Sequence, residues 1–225
     1  MVRVRGTAER LRHRVLVAVA VAAEREAVER TAPWADVTAV GVGPGAAGAG
    51  TATALVTAAY EGRPYGLVVS AGIGGGFAAG GVEVGDTVIA DRIVAADLGA
   101  QTPAGFASVA ELGFGTAAYQ PPPDLVQAAA EAAGARSGPV LTVSTTTGTR
   151  EHAALLLERH PDALAEAMEG FGVAEAAAAH GVPVMEIRTV SNAVGPRDRA
   201  AWRIPEALAA LSTVFGKLSP AALLP

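Results

Sequence analysis

Carboxylates that could activate water stand at two places in this 225-residue chain. Glu24 and Glu26 follow the apolar run Val15 to Ala23, and Glu169 follows Met168 at the start of an Ala-rich stretch. A carboxylate held beside a reacting carbon can take a proton from water as a general base. Ser191-Asn192 closes the run VMEIRTV and adds an amide, which offers a donor and an acceptor to one polar ligand edge. The segment Ser70-Ala71-Gly72-Ile73-Gly74-Gly75-Gly76 directly follows the apolar GLVV. A strand running into such a glycine cluster presents backbone N–H groups at the carboxyl edge of a sheet, where α/β folds bind ligands. Hydroxyls crowd Ser144 to Thr149 after a further apolar run. They could touch a ligand there, or only cap a helix beginning near Glu151.

Each of these features has a plain alternative when taken alone. Glu26 reads as a solvated helix residue among Glu24, Arg25 and Glu29, and Glu169 as a first-turn acid favoured by the helix dipole. The glycine cluster can be a turn, and Ser191-Asn192 an ordinary exit from a sheet. Together they place polar or glycine-rich groups at the carboxyl ends of four strands, which points to one site. Gly43, Gly45 and Gly48 match the spacing of a dinucleotide fingerprint. They lack its βαβ context and its acidic residue about 20 positions on, so no cofactor is expected.

Composition narrows the chemistry. The chain has no Cys, and its four His, at 13, 152, 160 and 180, show no ligand spacing, so no metal is expected. A net charge of −5 gives no reason to expect nucleic acid or an anionic membrane as partner. Arg3, Arg5, Arg10, Arg12 and Arg14 before the Val15 to Ala23 run look like a secretory signal. A buried first strand behind a basic leader at 1–14 is the better reading, because Glu24-Arg25-Glu26 follows at once and export would remove a core strand. Cytoplasmic residence is expected, with residues 15–225 as one domain.

The elements that must position these groups alternate, as in an α/β fold with a largely parallel sheet. Strands are expected at Val15–Ala20, Val37–Val42, Gly66–Ser70, Thr87–Ile93, Val140–Val143 and Val184–Val190. Helices are expected at Ala23–Ala32, Ala46–Glu61, Pro123–Ala133, Glu151–His160, Gly170–His180 and Pro205–Lys217, with Gly62, Gly134 and Gly181 as C-terminal caps. The Gly- and Pro-rich segment from Gly99 to Pro123 reads as a long ordered loop that closes a site.

The order of ExE at Glu24 to Glu26, SAGIGGG, VGD, MEG and RTVSNAVGPRD resembles the nucleosidases of the nucleoside phosphorylase superfamily that act on methylthioadenosine and S-adenosylhomocysteine. It is more similar still to the futalosine-cleaving branch of that family, particularly at AADLGAQTP and SNAVGPRDRAAWR. The resemblance spans about Val15 to Lys217. It implies a three-layer α/β/α sandwich with a mixed central sheet, a homo-oligomer, a small nucleoside as substrate and no cofactor. It also implies that Glu26 activates water at the anomeric carbon, that Glu169 holds ribose hydroxyls and that Met168 lies under the sugar. Gly72, Ile73 and Gly74 would lie beside ribose and base. The Gly99–Pro123 loop, with Phe106, Leu112 and Phe114, is expected to cover the 5′ end of the substrate, alone or with help from another subunit. Ser191-Asn192 takes the place of a Ser-Asp pair in which Asp handles N7 of adenine. Asn192 donates to O6 where an ionised Asp would repel it, so the substitution favours a 6-oxopurine such as hypoxanthine. The carboxylates of the first βα loop suit water and repel phosphate.

Overall fold

The structure is a computed structural model, and it describes residues 14–224; the leader expected at 1–14 lies outside the described residues except for Arg14. In chain order the elements are β1 (Val15–Val19), α1 (Ala22–Glu29), β2 (Asp36–Ala39), α2 (Pro44–Tyr60), β3 (Leu67–Gly76) and β4 (Thr87–Ala95). A short hairpin of β5 (Gly99–Thr102) and β6 (Gly105–Ser108) follows, then β7 (Ala118–Tyr119), α3 (Pro123–Ala133), β8 (Arg136–Thr142) and α4 (Arg150–Arg159). The chain continues through β9 (Ala165–Ala167), α5 (Gly170–Ala179), β10 (Val184–Ala193), α6 (Ile204–Lys217) and α7 (Pro220–Leu223).

One mixed sheet carries the fold, in the order β10-β4-β8-β9-β3-β1-β2. β10 pairs with β3 as well as with β4, so five strands close into a ring and β1 and β2 extend from it. The run VLVAV shows why. Val15, Val17 and Val19 pack into one core cluster, and Leu16 and Ala18 into a second on the opposite face. A strand apolar on both sides must be covered on both faces, and the helices provide the cover. α1, α3 and α6 pack on one face, and α2 and α5 on the other. The expected three-layer architecture with a mixed sheet is therefore observed.

Two expectations need correction. The glycine cluster is not a loop after β3 but its second half, because β10 pairs with it residue by residue from Ala71 to Gly76. The segment from Gly99 to Pro123, expected as a long ordered loop, contains three short strands. It turns at Gly105, φ +114°, to pair β5 with β6, and Tyr119 then joins β4 opposite Ile93. The expected caps Gly62, Gly134 and Gly181 all have the left-handed φ that such caps require.

Candidate active site

The carboxyl ends of β1, β3 and β10, with the turn after β9, surround a cavity of about 390 Å³. That volume is in the range of small-ligand pockets. Glu24, Ile73, Gly74, Met168, Glu169, Ser191 and Asn192 all line it.

Glu24 sits in the first turn of α1 and is 3% exposed. Its Oε1 accepts from Ile73 N–H at 2.9 Å, and its Oε2 from Ala20 N–H at 2.9 Å and Val21 N–H at 3.3 Å. A carboxylate has about four acceptor positions, so three backbone donors fix it and leave one free. Burial raises its pKa above the ordinary carboxylate value, against the opposing pull of Arg188. Gly72 makes this possible: a Cβ there would collide with the Glu24 carboxylate and crowd the Arg188 guanidinium. Gly72 thus acts from behind the cavity wall rather than on it.

Glu26 does not share this position. It is exposed and does not line the cavity, which corrects its expected place at the site; the carboxylate that the fold brings there is Glu24. The reason is helical phase. Ala27 and Val28 are buried, and they lie three and four residues after Glu24, on its side of α1. Two residues beyond Glu24 the helix has turned about 200°, which carries Glu26 to the solvent side.

Glu169 is the residue before α5, yet its side chain makes no capping bond to that helix. It reaches instead to Gly43 N–H at 3.2 Å and to Arg188 Nη1 at 3.2 Å. Gly43 is the residue before α2, so the carboxylate lies at a neighbouring helix's N-terminus, where the dipole favours it. The GPGAAG run serves this junction and the close approach of α2 to α5: a Cβ on Gly172 would strike the Pro44 carbonyl.

Arg188 is the buried centre of this network, at 1% exposure. Its Nε donates to Glu186 Oε1 at 2.8 Å and its Nη2 to Ser70 Oγ at 3.0 Å, while Nη1 serves Glu169. Glu186 is fully buried and its Oε2 has no partner. Burial pushes its pKa up. One guanidinium thus faces three carboxylates, of which Glu24 and Glu169 reach the cavity.

Asn192 is aimed by an irregularity. The register of β10 against β3 slips between Val190 and Asn192, and a bulge of this kind redirects a side chain. The Asn192 Oδ1 lies 2.8 Å from Ser191 Oγ, and its Nδ2 donates to Ala193 C=O at 3.0 Å. One N–H and one lone pair remain for a ligand.

The polar run 144–149 divides its roles. Thr149 caps α4 by accepting from His152 N–H at 3.1 Å, while Thr146 and Thr147 line the cavity. Thr147 N–H donates to Glu166 Oε1 at 2.8 Å and its hydroxyl to Oε2. Glu166, in β9, is a cavity residue that the sequence reading missed. Arg197 and Trp202 also line the cavity, the guanidinium standing over the indole at 5.2 Å.

Phe106 does not line this cavity within its own chain. It lies in the β5–β6 hairpin beneath Arg159, 4.4 Å from guanidinium carbon to ring centre, in a separate depression with Arg92 and His160. The hairpin pairs with itself, and the cation over the ring holds Phe106 to that side.

The profile of the Phosphorylase superfamily matches residues 16–219. The chain is 62% identical to the futalosine hydrolase of Streptomyces coelicolor, covering 92% of this chain and 95% of that one. It is 34% identical to the futalosine hydrolase of Thermus thermophilus, over 73% of this chain and 75% of the relative. Among solved structures, it superposes on futalosine hydrolase of Helicobacter pylori with a TM-score of 0.76, at 15% identity, covering 91% of this chain and 96% of the other. It also superposes on the 5′-methylthioadenosine/S-adenosylhomocysteine nucleosidase of Neisseria meningitidis, TM-score 0.75 at 18% identity, over 91% and 97% of the two chains.

Proposed function

The chain belongs to the phosphorylase superfamily, and on that premise we propose that it is an N-glycosyl hydrolase that cleaves futalosine to hypoxanthine and dehypoxanthine futalosine, a step of menaquinone biosynthesis. The observation that carries the reading is Glu24: a buried carboxylate, fixed by three backbone donors, with one acceptor position left at the cavity.

The bond between the anomeric carbon and N9 of the base breaks, and its electron pair leaves with hypoxanthine. Water adds to the oxocarbenium-like carbon and gives its proton to Glu24. A carboxylate whose pKa is raised toward the working pH is a better base for this than an ordinary glutamate. Glu169 accepts from the ribose hydroxyls, and Met168 packs under the sugar. Asn192 donates its free N–H to O6 and accepts from N7–H, whose proton arrives from solvent or by relay because an amide is not an acid in this range. The enzyme acts in the cytoplasm as a homo-oligomer.

Charge favours water over phosphate. Glu24, Glu166 and Glu169 line the cavity, and Arg188 is committed to Glu169 and Glu186. A phosphate dianion would meet net negative charge at short range. No helix among the described residues is long and apolar enough to cross a membrane.

The test is release of free purine from futalosine, inosine and methylthioadenosine, each with and without phosphate. Hypoxanthine from futalosine, at a rate independent of phosphate, is the expected result. Adenine from methylthioadenosine would overturn the role given to Asn192, and phosphate-dependent release would overturn hydrolysis.

A further inference from the structure

Glu166 has no part in the chemistry above, yet it is a buried carboxylate on the wall of the same cavity, 6% exposed. The ion pairs among the described residues leave it out. Its protein partners are the N–H and hydroxyl of Thr147, which leaves acceptor capacity on both oxygens. A buried carboxylate outside any direct ion pair, with only His152 favouring its charge through space, is costly unless a further donor reaches it.

Its place relative to Asn192 says which donor. In the ring of strands, Gly75 of β3 is opposite Glu166 of β9 on one side and Asn192 of β10 on the other. The two polar residues therefore flank Gly75 across a closed ring of strands, roughly 8 Å between backbones, less than two spacings of a flat sheet. Gly75 keeps the floor between them clear: a Cβ there would lie 2.8 Å from Val194 Cγ2 and 3.4 Å from Asn192 Nδ2. A flat bicyclic base laid over that floor has one polar edge toward each residue. A 6-oxopurine carries O6 and N7 as groups for Asn192, and its N1–H is the one donor on the adjoining edge. A 6-aminopurine has a bare acceptor at N1, which an ionised carboxylate repels.

We propose that Glu166 accepts the N1–H of the 6-oxopurine, so that the base is read from two strands, O6 and N7 by Asn192 and N1–H by Glu166. Glu166 is then a specificity-determining residue. The inference rests on the futalosine reading above. Thr147 is a positioning residue, since its two donors hold the carboxylate in place.

The test compares binding of hypoxanthine, 1-methylhypoxanthine and adenine by calorimetry to the wild-type protein and to Glu166→Ala and Glu166→Gln, with futalosine hydrolysis measured alongside. Loss of a hydrogen bond to a charged group is worth about a 10- to 100-fold change in affinity. The wild-type protein is expected to prefer hypoxanthine over its 1-methyl derivative by that factor. Glu166→Ala removes the acceptor and makes room for the methyl group, so the preference should collapse toward unity. Glu166→Gln, nearly isosteric, should gain affinity for adenine relative to hypoxanthine. A wild-type protein that cleaves futalosine, with the hypoxanthine to 1-methylhypoxanthine ratio unchanged in both variants, overturns the role of Glu166 alone. Equal weakening of all three bases also overturns it, because Glu166 would then only shape the 144–149 segment. A wild-type protein that neither cleaves futalosine nor binds hypoxanthine overturns this inference together with the function it rests on.

Discussion

Two of the concave regions that carry charged side chains are built in opposite ways. In the cavity at the ends of β1, β3 and β10, Glu24, Glu169 and Arg188 are buried and held by backbone or by one another. In the depression beside the β5–β6 hairpin, Arg92 meets Asp162 at the surface, and the half-buried Arg159 rests on Phe106 and donates to the Ala96 carbonyl at 2.9 Å. The first arrangement fixes polar groups before any ligand arrives, in surroundings where each charge acts strongly. The second is the kind of contact that contributes little and rearranges freely. Chemistry belongs in the first region, and substitutions should separate the two sharply.

The largest separation is expected in turnover. Glu24→Gln should lower kcat by about 100- to 10,000-fold, the usual loss for a general base. The amide also sets an NH2 group against one of the three backbone donors, so a modest fall in melting temperature should accompany the loss. Retained turnover in Glu24→Gln would remove this residue from the base role. Next is stability. Arg188→Met strips from Glu169 and Glu186 the one cation paired with them among the described residues and should cost about 3–5 kcal/mol in urea unfolding, as for other broken buried pairs. Phe106→Ala removes only a contact of about 0.5–1 kcal/mol together with modest burial, and should leave turnover of the isolated chain's site unchanged. An equal cost for the two would erase the distinction between the regions.

The regions should also respond to pH with opposite signs. Burial raises the pKa of Glu24, Glu166 and Glu186, so the folded protein holds protons there that the unfolded chain releases. Their contribution to stability is full below the ordinary glutamate value of 4.5 and declines as pH rises through the raised folded values. At the hairpin, burial and the charges of Arg159 and Arg92 lower the pKa of His160. Its contribution is present above the ordinary histidine value of 6.5 and is lost as pH falls through the depressed folded value. Urea midpoints measured from pH 4 to 9 should therefore lose the acid-side decline in His160→Gln and part of the alkaline-side decline in Glu186→Gln. The same burial places the acid limb of kcat/KM above the range of a free glutamate.

The frame of the fold was legible because both faces of its strands are apolar. β1 announces itself in VLVAV, and α3 runs from Pro123 to the cap at Gly134, where the sequence places it. Two kinds of feature were not legible. β9 is three residues long, too short for any period to show, and it carries Glu166. The glycines of β3 read as a break, yet they stay extended because strands pair on both sides and because side chains would not fit: a Cβ on Gly74 would come within 2.7 Å of the Glu166 carbonyl. The buried network left one usable trace. Glu186 and Arg188 stand two apart in the otherwise apolar stretch VMEIR of β10, so they share a face and must satisfy each other.

The smallest expected effect is the most discriminating check on Glu24. Glu26→Gln changes the same residue type, two positions along the same helix, and in sequence the two glutamates are nearly interchangeable. In the fold they are not, because Glu26 is exposed beside Arg25, Glu29 and Arg30 while Glu24 is held by Ala20, Val21 and Ile73. A surface substitution of this kind usually stays within about 0.5 kcal/mol of the parent. Turnover of Glu26→Gln should accordingly match the wild type within about twofold, with an unchanged acid limb. A loss comparable to that of Glu24→Gln would mean that α1 is rotated in the active enzyme, with Glu26 turned inward. A small loss here and a large one at Glu24 assigns the base to a single face of one helical turn.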